Sequence, residues 1–364
     1  MDPEAGSGQV LPDSEMPWLR ADGPMSHLVV STRVRLARNL IEQPFWGRNT
    51  ALDRESVVRA VETAAAAVPV LADASLMRLD GMPRQSRLWL HERQLVSREL
   101  AGLDAAGKVR SGAALLLGRN TSVMVNEEDH LRLQGLRSGF ALEAAYGDTD
   151  ATDQALGGRL SFAFHAEFGY LTSCPTNVGT GLRASVLIHL PGLVLTREIT
   201  KVLQGLAQVG LTYRGLYGEG SEVLGNLFQL SNQTTLGKSE GELLDHLGRL
   251  VRQVMEYEER ARDVLRRDAP AALDDKVWRA YGLLRYARAL SFEELLNLLS
   301  GVRLGCGMDI LPGVSLFTLN RLLVLAQSAH VARAAGTSLD DEALPVHRAA
   351  LVRRMFEAEE GERR

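Results

Sequence analysis

The chain has 364 residues, 45% of them apolar, and this length and composition exclude a wholly disordered protein. The net charge of -4 argues against a protein built mainly to bind nucleic acid, which would carry a strong basic excess. Only four of the 41 basic residues are lysines, so the chain is rich in arginine, whose planar guanidinium suits binding of phosphate and carboxylate groups. The alternative explanation for the many arginines is a nucleotide bias of the source genome.

Residues 1–24 are rich in Pro, Gly, Asp and Glu, and they lack the basic and apolar segments of a secretory signal. We predict a flexible tail here. The chain contains no window of about 18 apolar residues, which argues against a membrane span. Two cysteines, Cys174 and Cys306, are too few for a disulfide framework, so we expect a reduced, cytoplasmic protein.

The first predicted element is a strand at 27–36, in which apolar and polar residues alternate. One face carries Leu28, Val30, Thr32, Val34 and Leu36, and the other carries Ser31, Arg33 and Arg35. Six further strands are predicted at 87–90, 113–117, 122–126, 183–190, 211–214 and 227–231. Helices are predicted at 193–209 and 241–267, the second opened by a capping box of Ser239 and Glu242. Residues 25–268 are therefore predicted to form an α+β domain, which is large enough to hold a catalytic site.

The stretch DAPAALDD at 268–275 interrupts this pattern and marks a predicted domain boundary, after which every periodic segment is helical. The helical signals are a capping box at Ser291 and Glu294 and an apolar helix at 316–335. Between them, GVRLGCGMD is predicted to be a glycine-rich turn that holds Cys306. Residues 269–364 are therefore predicted to form an all-α domain.

Two glycine motifs resemble nucleotide-binding loops. GTGLRA at 179–184 fits the dinucleotide pattern, which needs a buried strand before the glycines and a helix after them. Its flanks are Cys-Pro-Thr-Asn upstream and a strand-like segment downstream, so a nicotinamide site is disfavoured. NQTTLGKS at 232–239 ends like a P-loop, but Asn232 replaces the first glycine, and Lys238 is interpreted as solvent-facing.

Arginines could bind phosphate in place of such loops, because guanidinium groups bind phosphate oxygens bidentately and keep their charge. Any one of them alone would be interpreted as a surface residue. Five candidates at strand ends or in turns form what is here named the arginine cluster: Arg33, Arg35, Arg132, Arg183 and Arg214.

Five sequence blocks, in a fixed order, resemble those of the phosphagen kinases, the ATP:guanidino phosphotransferase superfamily. They are STRVRLARN, VNEEDHLR, CPTNVGTGLRASV, RGLYGEGSE and LFQLSNQTTLGKSE, within residues 31–240. The chain is most similar to the bacterial protein-arginine kinases of this superfamily, in which the STRVR block also lies near the start and a helical domain follows. The resemblance implies an antiparallel sheet flanked by helices, then a helical domain for dimerisation or regulation.

Phosphoryl transfer to arginine requires a base, since deprotonating a guanidinium at pH 7 costs roughly 8 kcal/mol. The resemblance implies that Glu128 is this base, beside Glu127, and that Glu219 orients the guanidinium; alone, the acidic run would be interpreted as a solvated turn. It also implies a reactive cysteine at Cys174, where neighbouring arginines would favour the thiolate. Without the resemblance, a buried structural cysteine is the commoner interpretation.

The resemblance implies an ATP site around the arginine cluster, with Mg²⁺ held mainly through the phosphates and no metal ligand from the protein. The implied ATP contacts are Ser31, Thr32, Arg33, Val34, Arg35, Gln94, Arg132, Arg183, Ala184, Ser185, Val186, Leu187, Arg214, Gly215, Leu216, Tyr217, Gly218 and Glu219. Gln94 departs from the family, which has a histidine there.

A second departure lies in the C-terminal domain. Leu344 and Pro345 stand where protein-arginine kinases have the Arg-Asp of an Arg-Asp-x-x-Arg-Ala signature that binds phosphoarginine, of which Arg348 and Ala349 remain. This departure leaves phosphoarginine sensing by the domain undecided, whereas the catalytic blocks are unaffected.

The leading hypothesis is a protein-arginine kinase that phosphorylates arginine side chains of other proteins. By resemblance it would serve protein quality control or a stress response, as a homodimer with an activator and with protease or chaperone partners. The alternatives are a small-molecule guanidino kinase such as an arginine kinase, disfavoured because no long helical N-terminal domain precedes the first block, and a non-catalytic module that keeps the fold. No direct nucleic-acid or membrane partner is expected.

Overall fold

A sheet of eight antiparallel strands lies at the centre of the computed structural model, which describes residues 16–119, 121–215 and 223–361. Its strands are β1 (Val29–Arg38), β2 (Ser75–Arg78), β3 (Ala114–Leu117), β4 (Thr121–Val125), β5 (Leu131–Ser138), β8 (Leu182–His189), β9 (Leu211–Gly215) and β10 (Leu227–Asn232). A separate hairpin consists of β6 (Phe164–His165) and β7 (Gly169–Tyr170). The order across the sheet is β2-β3-β4-β5-β1-β8-β10-β9, which confirms the predicted antiparallel α+β fold.

Helices flank this sheet and build the C-terminal part of the chain. They are α1 (Ala51–Ala66), α2 (Arg84–Glu92), α3 (Leu142–Gly157), α4 (Pro191–Leu195), α5 (Ile199–Gln208), α6 (Glu240–Asp268), α7 (Pro270–Tyr286), α8 (Phe292–Gly307), α9 (Leu316–Leu325), α10 (Ser328–Ala335) and α11 (Ala343–Gly361). The predicted capping box of Ser239 and Glu242 opens α6, with both reciprocal hydrogen bonds present. At α8, Ser291 accepts the predicted hydrogen bond from the backbone N–H of Glu294.

Alternation along β1 separates the apolar core from the polar face of the sheet. Val34 and Leu36 are buried in the main core with residues of α1, α3 and α6, such as Val61, Ala145 and Leu247. The residues between them in sequence point to the opposite face, because side chains of a strand alternate. The predicted strand thus presents its arginines away from the main core.

A β-bulge near the start of β1 changes this alternation. The pairing with β8 shifts between Val29 and Ser31, so Val29 packs in the main core and Val30 in a second core made by the C-terminal helices. The predicted placement of Val30 on one face with Val34 is therefore wrong, because one extra residue reverses the side to which a strand residue points. Leu136, which lies opposite Arg33, also belongs to the second core, so the C-terminal helices cover part of the arginine-bearing face.

Three predicted elements have a different structure. Residues 87–90 lie in α2 and not in a strand; short apolar runs fit either state, and Trp89 and Leu90 are buried from a helix. The predicted helix at 193–209 is divided into α4 and α5, with Arg197 between them in the left-handed region at φ 62°. The predicted helix at 316–335 is divided into α9 and α10 at residues 326–327.

The predicted turn GVRLGCGMD is also wrong, because α8 continues through it to Gly307, with Cys306 in the helix. Its glycines allow α7 and α8 to approach closely. A Cβ built at Gly301 would lie 2.9 Å from the Cβ of Ala280, and one at Gly305 would overlap Cγ1 of the fully buried Val277. The composition that suggested a turn therefore serves helix packing.

Gly305→Ala is expected to lower the free energy of unfolding by about 1 to 3 kcal/mol, because the new methyl group overpacks against the fully buried side chain of Val277. Gly282→Ala is the matched control: it lies in α7 with no atom within 4 Å of the added Cβ, so helix propensity should raise stability by up to about 1 kcal/mol. Chemical denaturation measures both, and equal effects of the two variants would contradict the packing role.

The described part of the predicted tail is packed. Trp18 and Leu19 are buried in the second core, and the side-chain amide of Asn320 donates to the carbonyl of Leu19. Residues 16–24 are therefore not a loose tail, because their aromatic and apolar side chains complete the helical core. The predicted boundary at 268/269 falls at the junction of α6 and α7. Within the described ranges, no helix has both the length and the apolar character needed to cross a membrane.

Candidate active site

Backbone pairing brings arginines of three neighbouring strands together on one face of the sheet. Arg35 lies opposite Arg183 of β8 on one side and opposite Gln134 of β5 on the other. Arg132 of β5 lies opposite Ala37 of β1. Directly opposed residues of antiparallel strands point to the same side. The register alone therefore converges these polar side chains at one place.

The same face continues toward the edge of the sheet, where Arg214 of β9 lies opposite Gln229 of β10. Together these strands form the floor of a cavity of about 630 Å³, a size typical of small-molecule sites. Its lining includes all five members of the arginine cluster. The other polar residues that line it include Trp46, His91, Gln94, Arg110, Asn126, Glu127, Glu128, Gln134, Cys174, Thr176, Asn177 and Gln229.

Arg33 is fixed by two amide side chains. Its guanidinium donates to Oε1 of Gln94 at 3.2 Å and to Oε1 of Gln229 at 3.0 Å. Burial, and then repulsion from Arg183 and two further arginines of the cluster, lowers the pKa of Arg33 to about 10. Amide oxygens hold this guanidinium without neutralising it, so its charge stays available to a ligand.

Arg35 is buried among other positive charges of the arginine cluster. Burial, followed by the positive charges of Arg33, Arg132 and Arg183, holds the pKa of Arg35 well below its usual range. Its Nε atom is buried and has no hydrogen-bond partner in the described part of the chain. A buried, partly unsatisfied cation among other cations favours an anion as its missing partner.

The acidic side of the cavity is built by Arg132, Glu127 and Glu128. Arg132 donates to Oε1 of Glu127 at 2.9 Å and to Oε2 of Glu128 at 3.2 Å. Burial raises the pKa of Glu128, and the nearby negative charges of Asp129 and Glu127 add to the rise. The charge of Arg132 and a hydrogen bond from the Cys174 thiol oppose it. Arg132 therefore links the glutamate pair, on the acidic side of the cavity, to the other arginines of the cluster.

A buried frame positions the segment that carries Cys174. Asp129 is buried, and its Oδ1 accepts hydrogen bonds from Nδ2 of Asn39 and from the backbone N–H of Ser173, each at 2.7 Å. The Cys174 sulfur lies 3.0 Å from Oγ1 of Thr176. Asp129 thus fixes the spacing between its neighbour Glu128 and the cysteine.

The segment GTGLRA runs from a turn into a strand. Gly179 and Gly181 have positive φ angles of 112° and 66°, and a Cβ at Gly181 would lie 2.6 Å from the carbonyl oxygen of Ala37. The residues that follow form β8, so the predicted strand downstream of the glycines is confirmed, and the helix that a dinucleotide loop requires does not begin there. The glycines let the turn approach β1 closely, which places Arg183 beside Arg35. Lys238, in the second motif, is solvent-exposed as predicted.

Some of the predicted ATP contacts point elsewhere. The side chains of Thr32, Val34, Ala184 and Val186 are fully buried and do not line the cavity. Ser31, Ser185 and Leu187 line a small adjoining cavity of about 30 Å³, which shares Arg33, Gln94 and Gln229 with the larger one. Gly215 ends β9. Leu216, Tyr217, Gly218 and Glu219 lie outside the described residues.

Several lining residues were not among the sequence predictions. Gln134 follows Arg132 by two positions in β5, a strand that the sequence patterns did not reveal, and alternation within it would have identified Gln134. Gln229 lies in a predicted strand, but only the register with β9 shows that it faces the arginines. Trp46 is half exposed at the cavity, and Arg110 lies 4.8 Å over its ring. No local pattern marks these two.

Among the described residues, no group of three His, Cys, Asp or Glu side chains is arranged to hold a metal ion. The groups best able to hold a ligand are the arginines, which suit phosphate oxygens. The two glutamates beside them are already engaged with Arg132. The cavity therefore suits a polyanionic ligand at the arginines and, beside it, a cationic or proton-donating group at the two glutamates.

Two family models match the chain. "ATP:guanido phosphotransferase, C-terminal catalytic domain" matches residues 56–261, and "Protein-arginine kinase McsB C-terminal domain" matches residues 270–364. A protein-arginine kinase of Brevibacillus brevis is 44% identical over 351 residues, which cover 94% of this chain and 96% of the relative. A protein-arginine kinase of Moorella thermoacetica is 45% identical over 342 residues, covering 93% and 97%.

Solved structures share the fold. The duplicated taurocyamine kinase from Schistosoma mansoni, with bound transition state analog components, superposes with a TM-score of 0.59 at 28% identity, over 74% of this chain and 40% of that one. Lombricine kinase superposes with a TM-score of 0.57 at 23% identity, over 68% and 71% of the two chains. The second likeness concerns the fold alone.

Proposed function

The chain belongs to the ATP:guanido phosphotransferase family and, within it, to the protein-arginine kinases, and from this membership we propose that it transfers the γ-phosphoryl group of ATP to arginine side chains of proteins. The observation that carries the proposal is the cavity in which an arginine cluster meets a glutamate pair and a cysteine. Such a cavity offers charge for the phosphates and a base for the guanidinium in one place.

The arginine cluster would bind the triphosphate and stabilise charge on the transferred group. Support comes from the low pKa of Arg33 and from the unsatisfied Nε of Arg35, since both would be relieved by phosphate oxygens. Phosphoryl transfer depends mainly on positioning and charge stabilisation. Mg²⁺, when bound, would neutralise charge on the phosphates and be held mainly through them.

Glu128 would act as the base. Its raised pKa makes it a better proton acceptor than an ordinary glutamate, and it lies where the Cys174 thiol donates to it. In the proposed step, Glu128 takes a proton from a guanidinium nitrogen, whose electron pair attacks the γ-phosphorus. The bond from that phosphorus to the bridging oxygen breaks and ADP leaves. Glu219 is proposed as a second carboxylate that orients the guanidinium.

Incubation with ATP and an unfolded, arginine-containing protein tests this function. We expect phosphoarginine on the protein, detected by mass spectrometry under neutral conditions because the phosphorus–nitrogen bond is acid-labile. Rapid phosphorylation of free arginine without protein labelling would instead support the small-molecule guanidino kinase. The absence of any ATP turnover would support the non-catalytic module.

The pH dependence of kcat/KM should have its acid limb above the 4.5 of an ordinary glutamate, because Glu128 must be ionised to accept a proton and its pKa is raised. Activity is present above that pKa and is lost as the pH falls through it. Glu127→Gln removes a negative charge that raises this pKa, so it should move the acid limb to lower pH. A limb that stays in place or moves upward in this variant would contradict Glu128 as the titrating base.

The remaining expectations are also proposals. A homodimer through the helical domain is supported by large apolar side chains that α7 exposes, Trp278, Leu283 and Tyr286. A reduced, cytoplasmic setting is supported by the free thiols of Cys174 and Cys306. An activator, protease or chaperone partners and a role in protein quality control or stress response rest on the family resemblance.

The retained part of the C-terminal signature has a structural role. Arg348 is buried, and its guanidinium donates to the carbonyl oxygens of Ala326 and Leu290, each at 2.8 Å. These bonds join α11 to the ends of α9 and of the loop before α8. We therefore propose that this arginine supports the helical domain and does not receive phosphoarginine.

A further inference from the structure

We infer that Glu92 is a positioning residue for the ATP site, which couples the cavity wall to the C-terminal helical domain. The inference rests on the proposed function, because it assigns the ATP-binding step as the one that Glu92 supports. Glu92 ends α2, and it is almost fully buried although it carries a carboxylate and does not line the cavity.

The Glu92 carboxylate caps the N-terminus of α10. Oε1 accepts from Oγ of Ser328 at 3.0 Å and from the backbone N–H of Ala329 at 2.9 Å. Oε2 accepts from the backbone N–H of His330 at 3.2 Å and lies 2.8 Å from Nδ1 of that residue. The first backbone N–H groups of a helix have no partner within the helix, and a carboxylate there is favoured by the helix dipole. Glu92 therefore satisfies a helix of the C-terminal domain from within the catalytic domain.

Neighbouring contacts make this a rigid joint. The amide of Gln327 donates to the backbone carbonyl of Glu92 at 3.3 Å. The ring of Trp89, one helical turn earlier, stacks on His330 with the centroids 5.4 Å apart. The guanidinium groups of Arg93 and Arg333 lie 4.2 and 5.0 Å from the same indole ring. Each domain contributes to this stack, so α2 and α10 are held as one unit.

Two residues next to Glu92 line the cavity, His91 just before it and Gln94 two positions after it. Gln94 adopts the left-handed conformation, with φ 63°, which a residue other than glycine holds only where its surroundings fix it. Its Oε1 accepts from Arg33, and its backbone carbonyl accepts from Nε2 of Gln134 at 2.8 Å. Gln94 is therefore held by the site on one side and by the joint at Glu92 on the other.

Loss of the joint should thus release Gln94 and, with it, Arg33. The base is set elsewhere, since Glu128 lies in the turn between β4 and β5 and contacts Arg132 and Cys174. A defect at Glu92 should therefore weaken ATP binding more than it slows the transfer step. A purely structural role would lower stability without this selectivity.

Glu92→Gln tests the inference, with Glu258→Gln as a matched control. Glu258 is also a buried carboxylate that accepts two backbone N–H groups at the start of a helix, those of Gly192 and Leu193, and it does not line the cavity. Both variants should lower the melting temperature. Only Glu92→Gln should raise the KM for ATP, by roughly fivefold or more, with a smaller change in kcat. Equal KM values for ATP in the two variants and the unaltered protein would overturn the inference.

Two further measurements keep the result decisive. If Glu92→Gln does not fold, Ser328→Ala removes only one of the capping hydrogen bonds and should give a smaller rise in the same KM; an unchanged KM would overturn the inference. ATP binding followed through the fluorescence of Trp89 and the other tryptophans separates the two proposals. Failure of the unaltered protein to phosphorylate arginine would contradict the proposed function, whereas normal phosphorylation with unweakened ATP binding in Glu92→Gln would contradict only the role of Glu92.

Discussion

Glu128→Gln is expected to lower kcat for arginine phosphorylation by roughly 10² to 10⁴, the usual contribution of a positioned general base. The amide keeps the shape of the carboxylate and can still accept from Arg132, but it cannot take a proton from a guanidinium. Phosphoarginine formation and ADP release measure the loss. The KM for ATP should change little, because the triphosphate is proposed to bind the arginine cluster.

Glu127→Gln is the matched control, since it removes the adjacent carboxylate that binds the same arginine. Glu127 is buried and pairs with Arg132, whereas Glu128 lines the cavity with a side chain that is 41% exposed, so a substrate can reach it. The control should retain much more activity than Glu128→Gln. Equal losses would show that the pair serves only to hold Arg132, and undiminished activity of Glu128→Gln would refute its role as the base.

The sequence predicted the parts of the fold that local patterns encode. Strands that alternate or form short apolar runs, and the capped start of α6, were found because their signals lie within a few residues. The wrong predictions concern features fixed by distant contacts. Gly305 looks like a turn residue until α7 packs on it, and the bulge beside Val30 depends on pairing with β8.

The candidate site shows the same division. Motif blocks identified the arginines and glutamates that meet in the cavity, since each lies in a distinctive stretch of sequence. Gln229 could not be found in this way, because its position follows from the register of β10 with β9. The role of Glu92 could not be predicted from the sequence either, because its partners lie more than 230 residues away in the other domain.

The arginines of the cavity favour binding of an anionic ligand but lower the stability of the ligand-free protein. Among the described residues, the arginine cluster shares the cavity with Glu127 and Glu128, and burial together with repulsion from Arg33, Arg132 and Arg183 disfavours the charged form of Arg35 when no ligand is bound. Preorganised charge of this kind is what a transferring phosphoryl group requires, because it needs no rearrangement during the reaction. Removing a residue that serves only the ligand should therefore leave the melting temperature unchanged or raise it, whereas removing a structural residue should lower it.

Arg35→Gln is expected to reduce activity by roughly 10³-fold or more while leaving the melting temperature unchanged or raised, because it removes a buried cation repelled by its neighbours. Arg38→Gln is the matched control on the same strand. Arg38 is buried in an ion pair with Asp153 at 2.7 Å, so its loss leaves a buried carboxylate unpaired and should cost about 3 to 5 kcal/mol. Thermal unfolding and phosphoarginine assays on both variants provide the comparison. Destabilisation of Arg35→Gln to the same degree as Arg38→Gln would mean that Arg35 is structural, since a residue held ready for an anion should make the ligand-free protein less stable.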